Sequence, residues 1–425
     1  VVEAVVFLAA AMFLGVPVAY ALIGSSLLYF LTGPVPVEAL TQKLTASLAS
    51  FPLLAIPFFM LAGVLMSHGG IARRIIDVAD AFVGHFRGGL AQVSVFNSLL
   101  MGGMSGSSTA DAAVDAKVLV PQMIRKGYER GTAAAFASVS GVIVVLIPPS
   151  IGLIVYGLVA QVSVGELFIA GVGPGILLAV ALSVCVRVMA GRGRLPASRS
   201  KAASFKERLS TTGKAFWALM MPVLLILGLR AGVFTPTELG AVAAVYALVV
   251  GVVVYREISW RDVGAHLQEA AGATGVVMLI LAAAAGFGVV MTHERIPQRF
   301  AEGVFAITDN PIVVLIIINV GLLVLGALTE SLALMILVAP ILAPLAADLG
   351  IDPVHFGIII VLNLAIGGVT PPIGVVMFTV LSITKTGVWE YTKATWPLLV
   401  SVLVVLGLVS YVPAISLWLP DLLLR

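Results

Sequence analysis

The sequence predicts an all-α polytopic membrane protein, folded as an inverted repeat with two re-entrant helical hairpins and two proline-broken helices. Three observations carry this reading. Of 425 residues, 60% are hydrophobic and only 11% are charged, against about 25% charged in an ordinary soluble domain. Mean hydropathy is +1.14, and a soluble chain of this size could not hide so much apolar side chain. Charge-free runs close to the ~20 residues that cross a bilayer recur throughout: 4–37, 44–72, 88–110, 131–165, 167–186, 215–229, 239–255, 270–292, 311–329, 331–347, 356–384 and 394–420. Polar–apolar alternation is absent, which argues against a β-barrel. Helices remain because backbone groups in lipid must be satisfied within their own segment. The composition excludes a soluble enzyme, a nucleic-acid binder and a disordered scaffold.

The first run is too long for a cleaved leader and reads as a membrane helix. The stretch IARRIIDVADAFVGHFR (71–87) reads as an amphipathic helix on the cytoplasmic surface. The longest polar stretch, 187–214, holds eight basic residues against one acid, Glu207. Excess Lys and Arg mark cytoplasmic loops. Arg125, Lys126 and Arg130, and then Arg256 and Arg261, fall on the same side. This places the N-terminus inside and the C-terminus outside. The single cysteine, Cys185, sits in an apolar run; it excludes an intrachain disulfide and reads as a small buried hydrophobe.

An offset of 223 residues aligns the punctuation of the two halves. Pro121 falls on Pro344, Gly127 on Gly350, and the pair Pro148-Pro149 on Pro371-Pro372. The segment GMSGSSTAD (103–111) falls on GALTESLAL (326–334), and 16–33 pairs with 235–251 at an offset of 219. The basic stretch divides the halves, so the second starts in the opposite orientation. Runs 88–124 and 311–347 each read as two short helices meeting at a polar, Gly-rich tip. Each proline pair removes backbone donors within a long span. The freed carbonyls are expensive in hydrocarbon unless they line a polar cavity or meet a cation, and half-helix N-termini attract an anionic group.

Candidate cation ligands follow from the breaks and tips: Ser105, Ser108, Val144 and Ile147 in the first half, and Gly326, Gly367 and Thr370 in the second, with Pro149 and Ile373 beside the same breaks added as candidates. The spacing fits sodium, a proton or another cation. Candidate substrate contacts are Ser107 and Asn97, then Thr329, Glu330 and Pro371. Asp111 and Asp115 share a helix face, either as a cation site or with Asp111 stabilising a helix N-terminus. Glu330 lines the cavity or caps its helix. Asn97 and Asn363 bond a substrate or join helices. An intramembrane hydrolase is the remote alternative, on the Gly103-Met104-Ser105-Gly106 pattern. All five histidines lie near predicted membrane edges, away from a mid-span base, and neither a metalloprotease motif nor an ATP-binding Walker motif is present.

In order along the chain stand FPLLAIPFFMLAGVLMSHGGIARRI (51–75), SGSSTADAA (105–113), IPPSIGLIVYG (147–157), FTPTE (234–238), GIDPVHFGI (350–358) and NLAIGGVTPPIG (363–374). Together they resemble the large membrane subunit of the tripartite ATP-independent periplasmic (TRAP) transporters, from about residue 15 to residue 400. The resemblance implies an elevator-type transporter, not an enzyme, in a bacterial or archaeal inner membrane, using no cofactor but sodium as coupling ion and importing an organic acid. It implies a separate small four-helix membrane subunit and a soluble periplasmic substrate-binding protein as partners. Carried over, 88–186 and 311–384 form the two halves of the transport core. Residues 1–87 and 215–310 supply scaffold helices and an arm each, 187–214 the basic cytoplasmic loop, and 385–425 a C-terminal membrane helix. Many members carry a Gly-Pro pair shortly before the first proline pair, where this chain has Val144 and Val145. A stand-alone sodium/dicarboxylate symporter of related architecture, or a non-transporting scaffold, are the competing expectations.

Overall fold

A computed structural model describes residues 2–33, 36–193, 195–196, 202–308 and 310–424. Helices account for all regular structure among them. In the first half these are α1 (Val2–Phe13), α2 (Val18–Thr32), α3 (Val37–Leu48), α4 (Ala55–His68), α5 (Ile71–Val83), α6 (Gly89–Ser105), α7 (Ser108–Arg125), α8 (Arg130–Val139), α9 (Ile151–Ala160) and α10 (Val164–Gly191). The second half holds α11 (Phe205–Lys214), α12 (Phe216–Arg230), α13 (Pro236–Val249), α14 (Val263–His293), α15 (Ile296–Phe305), α16 (Pro311–Gly326), α17 (Ser331–Asp348), α18 (Pro353–Val369), α19 (Val375–Thr384), α20 (Val388–Tyr411) and α21 (Ala414–Leu423). Among the described residues, six helices are long and apolar enough to cross a membrane on their own.

Local chemistry sets the boundaries. Thr235 and Glu238 form a reciprocal capping box with Pro236 at the first turn of α13. Asp352 accepts from Val354 N and His355 N to open α18, and Asn310 and Ser163 cap α16 and α10. The second proline pair ends α18 because the donors that helix needs next are missing, whereas α8 ends at Val139 and passes through a tight turn at Ser140–Val142 before the first pair.

The repeat is visible in the backbone. Left-handed conformations recur at matching places: Gly70 and Arg295 before the arms α5 and α15, Gly127 and Gly350 after the hairpins, and Gln161 and Lys385 at the ends of α9 and α19. Both Pro148-Pro149 and Pro371-Pro372 are cis. The two broken spans lie side by side and antiparallel: α8 packs on α19 and α9 on α18, with the Tyr156 hydroxyl donating to the Pro353 carbonyl at 3.1 Å. Antiparallel partners related by one repeat are what an inverted repeat requires.

The broken spans occupy the centre. Every residue of α18 from Val354 to Val369 is buried, as is α8 from Gly131 to Val139, so these helices are apolar all round rather than amphipathic. Exposed large hydrophobics lie on the outer helices, for example Leu227, Val276, Ile316 and Val404, where lipid rather than water is the neighbour.

Two expectations are corrected. The run 4–37 is not one crossing: α1 and α2 fold back on each other, with the Ser25 hydroxyl donating to the Ala4 carbonyl at 2.7 Å. The Pro17 break divides it, so α1 runs opposite to α2 and the inside placement of the N-terminus loses its basis. The 71–87 helix ends at Val83, and its apolar face (Ile71, Ile75, Ile76, Val78) is buried against α6, α11 and α12 rather than left for lipid.

Candidate functional site

The first tip turns at Gly106 and Ser107. Gly106 has φ +59, and a Cβ there would stand 2.5 Å from the Pro149 carbonyl oxygen, so only glycine lets the tip reach the break. Across this approach Ile151 N donates to Gly106 O at 3.4 Å. Ser107 caps α7 through Ala110 N, and Ser150 caps α9 through Leu153 N.

The break orphans specific carbonyls. In a continuous helix Val144 and Val145 would accept from residues 148 and 149, both prolines without N–H. Ile147 would accept from Ile151, whose N–H is turned to Gly106. Val144, Ile147 and Pro149 are all buried, so their carbonyls are a set of acceptors that the break leaves for another partner, with Pro149 O against Gly106 of the first tip. The Val144-Val145 departure leaves that set intact, because carbonyls rather than side chains form it. Ser108 lies at the tip; the Ser105 side chain falls outside the described part of the structure.

The second tip also meets its break closely. A Cβ on Gly367 would stand 2.6 Å from the Gly326 carbonyl carbon and 2.7 Å from its Cα, so the two backbones touch. Ser331 donates to Leu364 O at 3.0 Å. Gly367 O accepts from Thr370 N at 2.9 Å, and the Thr370 hydroxyl donates to Ile366 O at 2.6 Å, which leaves its oxygen lone pairs for another partner. Ile373 is 49% exposed. The residues fit a hard cation: carbonyl and hydroxyl oxygens, with two acceptors stripped of donors by proline.

Between the tips and the breaks lies a small cavity of about 80 Å³. Its lining brings together Ser107, Ser108, Gly152, Glu330, Ser331 and Val375, with Val361 and Leu364 supplying an apolar wall. Four helices, α7, α9, α17 and α19, begin at this cavity. Each N-terminus carries partial positive charge from unsatisfied N–H groups. Glu330 both lines the cavity and caps α17, accepting from Leu332 N and Ala333 N at 3.0 and 2.7 Å.

Four residues weighed as contacts are absent from this lining. Thr329 spends its hydroxyl on Leu325 O. Pro371 is half-buried at the second break, outside this lining. Asn97 is buried between α6 and α7, donating to Asp115 at 2.8 Å. Asn363 joins α18 to α16 through Asn319. Conversely Gly152, Met335, Val361, Leu364 and Val376 line the cavity without having been expected there. For Gly152 and Val376, position just after each proline pair was a usable signal. The apolar members carry none.

One turn further along α9 and α17 lies a larger cavity of about 1080 Å³, between these helices and α4, α13 and α14. Gln161, Ser163, Thr235 and Thr237 stand around it, at the end of the molecule remote from the basic stretch.

Comparison with known proteins shows the family and the fold. Residues 5–415 match the family described as the tripartite ATP-independent periplasmic transporter, DctM component. The chain is 41% identical to the C4-dicarboxylate TRAP transporter large permease protein DctM of Pseudomonas aeruginosa, over 94% of this chain and 93% of that one. It is 39% identical to the sialic acid TRAP transporter large permease protein SiaM of Vibrio cholerae, over 97% and 96%. The YdaH transporter of Alcanivorax borkumensis shares the fold, with a TM-score of 0.61 at 16% identity over 90% of this chain and 88% of that one. The chain is therefore no enzyme but a multi-pass membrane protein, and it belongs to the DctM family of TRAP transporter large permeases.

Proposed function

We propose that this chain carries an organic acid inward across the bacterial inner membrane, driven by sodium, with the substrate handed over by a soluble periplasmic binding protein. The observation that carries the proposal is the convergence of four helix N-termini on one cavity. That arrangement favours a carboxylate. Relatives named for C4-dicarboxylates and for sialic acid have the carboxylate group in common, which supports the same class here. Sodium coupling is supported by the two oxygen sets, one at each tip. Ser108 with Val144, Ile147 and Pro149 holds the first ion, joined by Ser105 at the same tip. Gly326, Gly367, Thr370 and Ile373 hold the second.

The mechanism is an elevator: the two hairpins and two broken spans move as one body against the scaffold. Loading both cation sites pins each tip to its break and completes the cavity, so substrate and ions travel together. The larger cavity is the approach from the periplasmic side. A small four-helix membrane subunit widens the scaffold, and the binding protein docks over that approach.

The test is uptake in proteoliposomes containing the chain, its small subunit and the binding protein. Uptake of a dicarboxylate or sialic acid should appear only with an inward sodium gradient. Equal uptake without sodium would overturn the coupling, and uptake by the chain alone would favour a stand-alone symporter.

A further inference from the structure

Behind the first tip, α6 and α7 enclose two carboxylates that the transport scheme does not use. Asp111 and Asp115 are one turn apart on α7 and are completely buried. Ser98 donates to Asp111 Oδ2 at 2.6 Å. Ser94 donates to Asp115 Oδ2 at 2.7 Å, and Asn97 Nδ2 to Asp115 Oδ1 at 2.8 Å. The Ser140 hydroxyl, from the turn beyond α8, pairs with Ser94 at 2.8 Å. Every one of these neighbours is neutral. Neither carboxylate has an ion-pair partner among the described residues. Lys117 of α7 is exposed, and Tyr391 of α20 spends its hydroxyl on Ser138 and the Val369 carbonyl. The faces of α4, α5, α8, α10, α12 and α19 that pack on the hairpin bring no charged group into contact with the pair.

Two buried negative charges without a counter-charge cost far more than hydroxyl donors return. Two further atoms identify what is missing. Asp111 Oδ1 and Asn97 Oδ1 are both fully buried and without any hydrogen-bond partner. Both are acceptors, and the Asn97 amide is already turned into the cluster by its bond to Asp115. Asp115 has both oxygens satisfied by donors, the environment of an ionised carboxylate. Asp111 has one oxygen satisfied and one bare. A proton on Asp111 Oδ1 removes one charge, converts the bare acceptor into a donor, and needs no more room than the close-packed site has. A metal ion would need several oxygens spread around it, whereas the Ser hydroxyls and carboxylates are already at direct hydrogen-bond distance.

We propose that the Asp111–Asp115 pair is a proton-binding site, with one proton held on Asp111 Oδ1 at neutral pH and Asp115 ionised beside it. Binding is simple association of H⁺ with a carboxylate. Since α6 and α7 form the first hairpin, the proton rides behind the tip. Losing it at alkaline pH places two bare charges between α6 and α7, which spreads the hairpin and weakens cation binding at Ser108. That consequence rests on the proposed transport function; the proton itself does not.

The test separates the two. Infrared spectra of the purified full chain in lipid, without substrate or partners, should show the C=O stretch of a protonated carboxylic acid at pH 7. Labelling aspartate with ¹³C should shift that band, which distinguishes it from Glu330. Asp111→Asn should remove the labelled band. Absence of an aspartate-derived band in the unmodified sequence at pH 7 would overturn the proposal whether or not the variant folds. So would persistence of the band in Asp111→Asn. If the band is present, sodium affinity should fall about tenfold or more over the alkaline range in which the band disappears. A band with pH-independent sodium affinity would keep the proton and refute only its link to the tip.

Discussion

Ser108 and Thr370 each contribute a hydroxyl at a hairpin or break, and their loss tests the two proposed cation sites separately. Ser108→Ala and Thr370→Ala should each raise the sodium concentration for half-maximal uptake by about tenfold, the equivalent of about 1.4 kcal/mol for one lost ligand. Sodium titration of uptake at saturating substrate measures this; unchanged titrations in both would remove these ligands. Gly367→Ala makes a different prediction. Its Cβ would collide with Gly326 backbone, and overpacking costs about 1–3 kcal/mol. Thermal unfolding in detergent should show a lower Tm, with hairpin 2 no longer docked and uptake lost. At this scale the sequence was only partly legible. Prolines and glycines announce themselves, because backbone geometry depends on their identity, so Gly326, Gly367 and the broken carbonyls could be named in advance. Asn97 could not: an amide in an apolar run bonds whatever the fold brings to it, and its partner Asp115 becomes visible only once α6 and α7 are paired.

Helices and hairpins were read with fewer errors, because a hairpin tip or a proline break interrupts hydrophobicity at a definite place. The exceptions have one cause. A change of direction inside a continuous apolar run leaves no hydropathy signal, so α1 and α2 read as one span although Gly15 and Pro17 divide them. Similarly, the apolar face of α5 says that something covers it but not that α6, α11 and α12 do. Element motion gives a further prediction. Ala285 of α14 and Ile336 of α17 both line the larger cavity, and the two helices pack on one another. In a Cys185→Ala background, Ala285→Cys with Ile336→Cys, joined by a short bifunctional thiol reagent, should arrest uptake. A reducible reagent should allow recovery. Full uptake after complete cross-linking would mean that the core does not slide past α14.

For the whole molecule, the prediction concerns partners. Omitting the binding protein from proteoliposomes should reduce uptake to background, and omitting the small subunit should do the same; measurable uptake by this chain alone would show that it needs neither. The antiparallel placement of α8–α9 beside α18–α19 has an electrical consequence of its own. Their macrodipoles oppose one another, so in the proposed elevator sliding the pair through the membrane would displace almost no dipole along the field. Membrane voltage then acts on net charge, that of the passengers and of any ionised side chain in the core, and hardly on the helix dipoles. Transport current should therefore count the sodium ions less the substrate charge, and a substrate with one more negative charge should carry one elementary charge less per cycle.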